Sequence, residues 1–115
     1  MHEMSLTMSM IELAEEHCRK ADPSVKKITG IWLEIGALSC AEPETIEYCF
    51  DVARRTTMAE DAKLHIVRAK GVAWCVDCEK EIQLEVRGMA CPHCNGFNLR
   101  LTAGDELRIK DIEVE

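Results

Sequence analysis

Apolar side chains recur at helical spacing near the start of the chain. Met4, Met8, Ile11, Ala14 and Cys18 follow an i, i+4, i+7 stripe, while Glu12, Glu15, Glu16, Arg19 and Lys20 fall mostly outside it. The spacing predicts a helix over 5–21, and Asp22-Pro23 ends it because proline cannot continue a helix. Period-two alternation follows: Ile31, Leu33 and Ile35 against Trp32 and Glu34, predicting a strand over 27–36. Gly36 breaks that run and residues 37–43 read as a loop. Glu42-Pro43-Glu44 then places proline and acids at a helix start. Ile46, Cys49, Phe50 and Ala53 give this second helix its apolar face, and Arg54-Arg55 falls near its C-terminus.

A second strand is expected over 63–70, with Leu64 and Ile66 against His65 and Val67, and a third over 106–114. In the third, Leu107 and Ile109 share one phase while Ile112 and Val114 take the other. A bulge near Lys110-Asp111 reconciles them. Residues 72–103 differ in composition, with four cysteines, Gly88, Gly96 and Pro92, and little helical periodicity. The expected fold is α+β: a small three-stranded sheet with two helices, and a metal-stapled module inserted before the last strand.

Composition changes this picture in three ways. With 115 residues, two Trp, one Tyr and two Phe, the core is modest and must be filled by aliphatic side chains and Met. No uncharged apolar stretch approaches the roughly 18 residues that cross a bilayer. Met1-His2-Glu3-Met4 also lacks the basic and apolar regions of a signal peptide, so a cytoplasmic protein is expected. The net charge of −7 argues against generic nucleic-acid binding, which requires clustered Lys and Arg.

Seven cysteines are dense for a chain in a reducing compartment, where they point to metal rather than disulfides, and the odd count agrees. Cys75-Val76-Asp77-Cys78 and Cys91-Pro92-His93-Cys94 form two knuckles separated by twelve residues. Each two-residue gap lets a turn present both sulfurs to one ion, and four thiolates suit tetrahedral zinc. Such a site is closed, so it is structural rather than catalytic, and an insert with few large apolar side chains needs it to fold. Ile82 to Val86 alternates as a strand between the knuckles. A rubredoxin-like iron would use the same four sulfurs. A nucleic-acid ribbon is disfavoured because Lys80, Arg87 and Arg100 face Asp77, Glu79, Glu81 and Glu85. His93, inside the second knuckle, is either a solvated side chain or a substitute ligand in a rearranged site.

The remaining cysteines form no motif. Cys18 and Cys49 lie on apolar helix faces and read as core, whereas Cys40 lies in a loop as a candidate reactive thiol. No nucleophile–base constellation, phosphate loop or open three-ligand site is visible, so an enzyme is not expected.

The N-terminus carries a second metal-binding pattern. The α-amine of Met1, the amide and imidazole of His2, and the amide of Glu3 could place four nitrogens in a plane, a donor set that suits Ni(II) or Cu(II). A solvated His in a frayed terminus is the plain alternative.

Met1-His2-Glu3, the stretch Gly30-Ile31-Trp32-Leu33-Glu34-Ile35-Gly36, and the late Cys75-x-x-Cys78 and Cys91-Pro92-x-Cys94 occur together and in order. In this the chain resembles the hydrogenase nickel-incorporation family, the HypA/HybF metallochaperones, over essentially its whole length. The resemblance implies a nickel-binding α/β domain of residues 1–71 and 104–115 and a zinc ribbon of residues 72–103. It implies nickel at the N-terminus through Met1, His2 and the backbone, with Glu3 supporting the site. It also implies zinc on Cys75, Cys78, Cys91 and Cys94. Glu42, in the loop after the first strand, could add an oxygen ligand to nickel or simply be solvated. The implied partners are the maturation GTPase and the hydrogenase large subunit. A homodimer could form by exchange of the Leu107–Val114 strand. The competing function is a zinc-ribbon protein-interaction adaptor without nickel transport.

Overall fold

The computed structural model describes residues 3–115. The elements run α1 (Glu3–Ala21), β1 (Ile28–Gly36), α2 (Pro43–Ala53), β2 (Lys63–Ala69), β3 (Gly71–Cys75), β4 (Lys80–Leu84), β5 (Leu99–Ala103) and β6 (Leu107–Val114). They form two three-stranded sheets, ordered β2-β1-β6 and β4-β3-β5. Chain contacts divide the molecule into two units. One holds residues 3–33, 41–67 and 108–115; the other holds 34–40 and 68–107. The α+β architecture agrees with the expectation from sequence.

In the first unit, α1 buries Thr7, Met10, Ile11, Ala14 and Cys18. This corrects the expected stripe: Met8 is half exposed, and the buried face is centred one step away, on Thr7, Met10 and Ile11. A threonine can occupy that face because its hydroxyl donates to the Glu3 carbonyl one turn earlier (2.6 Å), leaving no polar group unsatisfied. Helix α2 starts at Pro43, whose missing N–H costs nothing in a first turn, and buries Ile46, Cys49 and Phe50. The two helices pack on each other. Arg54 closes α2 as its C-cap; its guanidinium donates to the Ala62 carbonyl at 2.9 Å and lies over the Phe50 ring. The loop that follows is tied down twice, since the Met58 N–H donates to Glu15 at 3.1 Å and its carbonyl accepts from Ile28 at 2.9 Å. On β1 and β2, Trp32 and His65 stack with ring centroids 4.3 Å apart.

In the second unit, β3 is the central strand. It pairs antiparallel with β4 (Ala73 opposite Ile82) and with β5 (Ala73 opposite Leu101), with an irregularity at Val72/Ala73. Neither β3 nor β5 is anticipated by the sequence pattern. β4 is, but it ends at Leu84, and Val86 lies exposed beyond it rather than in the expected strand. The buried cluster is Leu38, Ala73, Cys75, Ile82, Leu84 and Cys91, with Cys78, Met89, Leu99 and Leu101 packed against it. Leu38 comes from the turn after β1, so the loop expected over 37–43 contributes a core residue.

Three glycines let backbone segments of this unit meet directly. Gly36 N–H donates to Glu106 O, Ala37 N–H to Ala69 O and Leu38 N–H to Gly104 O, each at 2.8 Å. A Cβ on Gly36 would overlap the Gly104 carbonyl. One on Gly104, whose φ is +88°, would overlap the Lys70 carbonyl; one on Gly71 would crowd Leu38. Backbone atoms cannot swing aside as a flexible side chain can. Gly36→Ala is therefore expected to cost at least about 2 kcal/mol in urea unfolding. A loss near zero would show that this seam opens freely.

Candidate metal centre

The four thiols singled out by sequence converge. Cys75 ends the central strand β3, where it shares an inward face with Ala73 and is fully buried. Cys78 lies in the turn that leads into β4, and Cys91 and Cys94 bracket a second turn before β5. Their Sγ atoms all lie within 4.8 Å of one another. The pairs Cys75–Cys94 and Cys78–Cys91 are each separated by 3.8 Å. Four ligands placed tetrahedrally at a Zn–S distance of about 2.3 Å are about 3.8 Å apart, so these two pairs match the spacing zinc requires and the remaining sulfurs lie close to it.

The two knuckles share a local design. In each, the residue after the second cysteine takes a left-handed conformation: Glu79 with φ +52° and Asn95 with φ +59°. That reversal turns the chain away from the ion. Amides point back at sulfur, with Cys78 N–H on Cys75 Sγ and His93 N–H on Cys91 Sγ, each at 3.4 Å. The second knuckle is closed by Cys91 N–H to Gly96 O and Asn95 N–H to Cys91 O, both at 2.8 Å. Asn tolerates this backbone region better than most residues, so Asn95 is a signal the sequence carries; Glu79 offers none. The His93 imidazole is not part of the converging set.

Crowding sulfurs together divides their proton affinities. Cys78 is pushed up to about 12, first by its contact with Cys94, then by Cys75 and by burial. Burial also pushes Cys91 up, but the amides of Cys94 and His93 and the sulfurs of Cys94 and Cys75 outweigh it and bring the thiol down to about 7. Cys91 thus gives up its proton more readily than Cys78, and a bound cation would favour the thiolate at both.

Other candidates fall elsewhere. Met1 and His2 lie outside the described residues. Glu3 opens α1. Glu42 is exposed at the N-cap of α2 and makes no side-chain cap hydrogen bond. Among the described residues, the cysteine quartet is the one cluster of three or more metal-binding side chains. Cys18 and Cys49 are buried, as expected, and Cys40 is exposed. Leu38 and Arg87 escaped sequence reasoning. Leu38 supports the cluster from below Cys75 and Cys91, and Arg87 Nε donates to the Leu38 carbonyl at 2.8 Å. Neither carries a motif.

Zinc must displace the thiol protons, so its retention is expected to be strong at high pH and to fall as pH drops. Measured with a chromophoric chelator between about pH 7 and 5, the affinity should change with a slope of roughly two protons or more per zinc. A retention independent of pH would contradict thiol ligation.

Comparison with known proteins accords with this geometry. Residues 1–114 match the model of a family described as "Hydrogenase/urease nickel incorporation, metallochaperone, hypA". The hydrogenase maturation factor HypA of Actinobacillus succinogenes is 49% identical over 115 residues, covering 100% of both chains. That of Aeromonas salmonicida is 47% identical over 114 residues, covering 99% of both. The solution structure of the Ni metallochaperone HypA from Helicobacter pylori is similar with a TM-score of 0.71 and 30% identity, covering 99% of this chain and 97% of that one. With the match running along nearly its full length, this chain belongs to the HypA family of nickel-incorporation metallochaperones.

Proposed function

We propose that this chain captures Ni(II) at its N-terminus and passes it on for insertion into the hydrogenase large subunit, while zinc on Cys75, Cys78, Cys91 and Cys94 holds the ribbon folded. The observation that carries this reading is the family match over residues 1–114, which includes the Met1-His2-Glu3 terminus. Residues 1–71 and 104–115 then form the nickel-binding domain, and 72–103 the zinc ribbon.

The chemistry of the terminus supports it. The Met1 amine, the His2 amide, the His2 imidazole and the Glu3 amide chelate one ion in fused rings, giving a planar nitrogen set that Ni(II) favours. Glu3 is the first residue of α1, and first-turn N–H groups have no intrahelical acceptor. The Thr7 hydroxyl holds the Glu3 carbonyl, anchoring the first turn beside the chelate. Two deprotonated amides neutralise the charge of the bound ion, which limits its conflict with the positive end of the helix dipole. The amine and imidazole titrate near neutrality, so capture and release are proton-coupled.

Release requires a receiver. The reading assigns that role to the maturation GTPase, with the ribbon as a docking module, and it places the chain in the cytoplasm, where thiols stay reduced. A homodimer is part of the same reading. The chain is a carrier, not an enzyme: ligands exchange on the ion while no covalent bond of the cargo is made or broken.

The test is a Ni²⁺ titration by calorimetry and absorbance, on zinc-loaded protein with no residue ahead of Met1, beside His2→Ala. The expected result is about one nickel per chain with a square-planar absorption band, both lost in His2→Ala. Equal binding by the two proteins would remove the terminal site and leave a zinc-ribbon adaptor without nickel transport as the better account.

A further inference from the structure

The cysteine cage is unevenly covered. Cys75 and Cys91 are fully buried, Cys78 is half-buried and Cys94 is exposed. Cys75, Cys78 and Cys91 belong to or pack against the cluster built on Leu38, Ala73, Ile82 and Leu84, and Cys94 alone of the four stands outside it. A site that did nothing but hold an ion would be served best by four covered sulfurs. Here one corner is left at the surface.

A glycine widens that opening. Gly96 does not take a left-handed φ, so its backbone conformation does not demand glycine. What it supplies is space. A Cβ at Gly96 would stand 3.3 Å from Cys94 Sγ and 3.3 Å from Asp77 Oδ2. Any other side chain would lie against the sulfur and cover it from that side. A small neutral molecule seated at that point touches the Cys94 sulfur and has a carboxylate oxygen beside it to accept its O–H.

The exposed sulfur also has a close buried neighbour, since Cys94 Sγ and Cys75 Sγ lie 3.8 Å apart. Thiols that respond to oxidants combine these two features: a thiolate reached from solvent, and a second sulfur near enough to resolve the oxidised one.

We propose that Cys94 is a peroxide-modification site, resolved by Cys75, through which an oxidant empties the ribbon of its ion. The Cys94 thiolate attacks a peroxide oxygen; an S–O bond forms, the O–O bond breaks and hydroxide leaves. The Cys75 thiolate then attacks the Cys94 sulfur; an S–S bond forms, the S–O bond breaks and a second hydroxide leaves. Two protons from solvent turn the hydroxides into water. The sulfur pair has lost two electrons and the peroxide has gained them. Cys78 and Cys91 remain, half of a tetrahedral shell, and zinc departs. Their sulfurs are themselves 3.8 Å apart, so a second peroxide can close a second disulfide in the same way. The inference goes beyond the role of zinc in holding the ribbon folded. It rests on that role only for the identity of the ion, and it is independent of where nickel binds.

Full-length, zinc-loaded protein given a limiting amount of hydrogen peroxide tests it. Zinc release is read with a chromophoric chelator, and sulfur pairing by alkylating the free thiols and mapping the peptides by mass. The expected first product is a Cys75–Cys94 disulfide that appears in step with free zinc, and a dithiol with added zinc should reverse both. Cys40 is also exposed but is not a ligand, so Cys40→Ser should leave rate and pairing unchanged. Gly96→Ala keeps all four ligands while covering the Cys94 sulfur, and should slow zinc release by roughly threefold or more. A first disulfide within a knuckle, Cys75–Cys78 or Cys91–Cys94, or one made with Cys40, would overturn the proposal. So would zinc that leaves without any disulfide, or release at the wild-type rate from Gly96→Ala. Should Gly96→Ala fail to hold zinc, the wild-type peptide map alone decides. That map reads the pairing whichever ion the cage holds, so a failure of the zinc reading and a failure of this one are told apart.

Discussion

Four sulfurs within 4.8 Å of one another set the terms for the second unit of this chain. Such a cluster cannot ionise together without a cation and cannot pack tightly with all its protons in place. The remaining core is small: Leu38, Ala73, Ile82 and Leu84 are its fully buried non-cysteine residues. Three five-residue strands held by so few aliphatic groups would be marginal by burial alone. A tetrahedral ion at the cysteines links the turn after β3 to the turn before β5, and so fixes the ends of the strands that flank them. Close backbone passage at Gly36, Gly71 and Gly104 does the corresponding work at the opposite end of β3, where no side chain could fit.

Under the proposed function, the same chemistry would keep the two metals apart. The thiolate cage is soft, enclosed and complete at four ligands, which suits an ion that stays. On the proposed reading, the terminus would supply amine, amide and imidazole nitrogens that compete with protons near neutrality, which suits an ion that must leave. A carrier built on the cysteine cage would hold its cargo too tightly to release it. A structural site built on the terminus would fix nothing beyond the first turn of α1. The proposed division of labour would follow from donor type and access rather than from affinity alone.

Long, strongly periodic elements were legible in the sequence. Helix α1, strand β1, helix α2 and the outer strands β2 and β6 fall where the pattern put them, because burial on one face leaves a periodic trace. The cysteine quartet was legible because its spacing is itself the geometry of two turns. The face of α1 was misjudged because methionine is apolar wherever it stands, whereas Thr7 is buried only by virtue of a hydrogen bond to Glu3 that no pattern records. Strand β3 was hidden because its inward residues are Ala73 and a metal-binding cysteine, which carry little hydrophobic signal. Strand β5 was missed because the alternation of Leu99 and Leu101 with Arg100 and Thr102 is too brief to stand alone. Leu38 was illegible since a single leucine in a turn gains its role only from what folds over it.

The account rests on two metals held by different atoms. X-ray absorption at the zinc and nickel edges, on one sample of the full chain loaded with both, reads the donors of each directly. The prediction is four sulfurs at about 2.3 Å around zinc and a four-coordinate nickel shell of light nitrogen donors without sulfur. Sulfur scattering at the nickel edge, or nitrogen replacing sulfur at zinc when nickel is added, would contradict it.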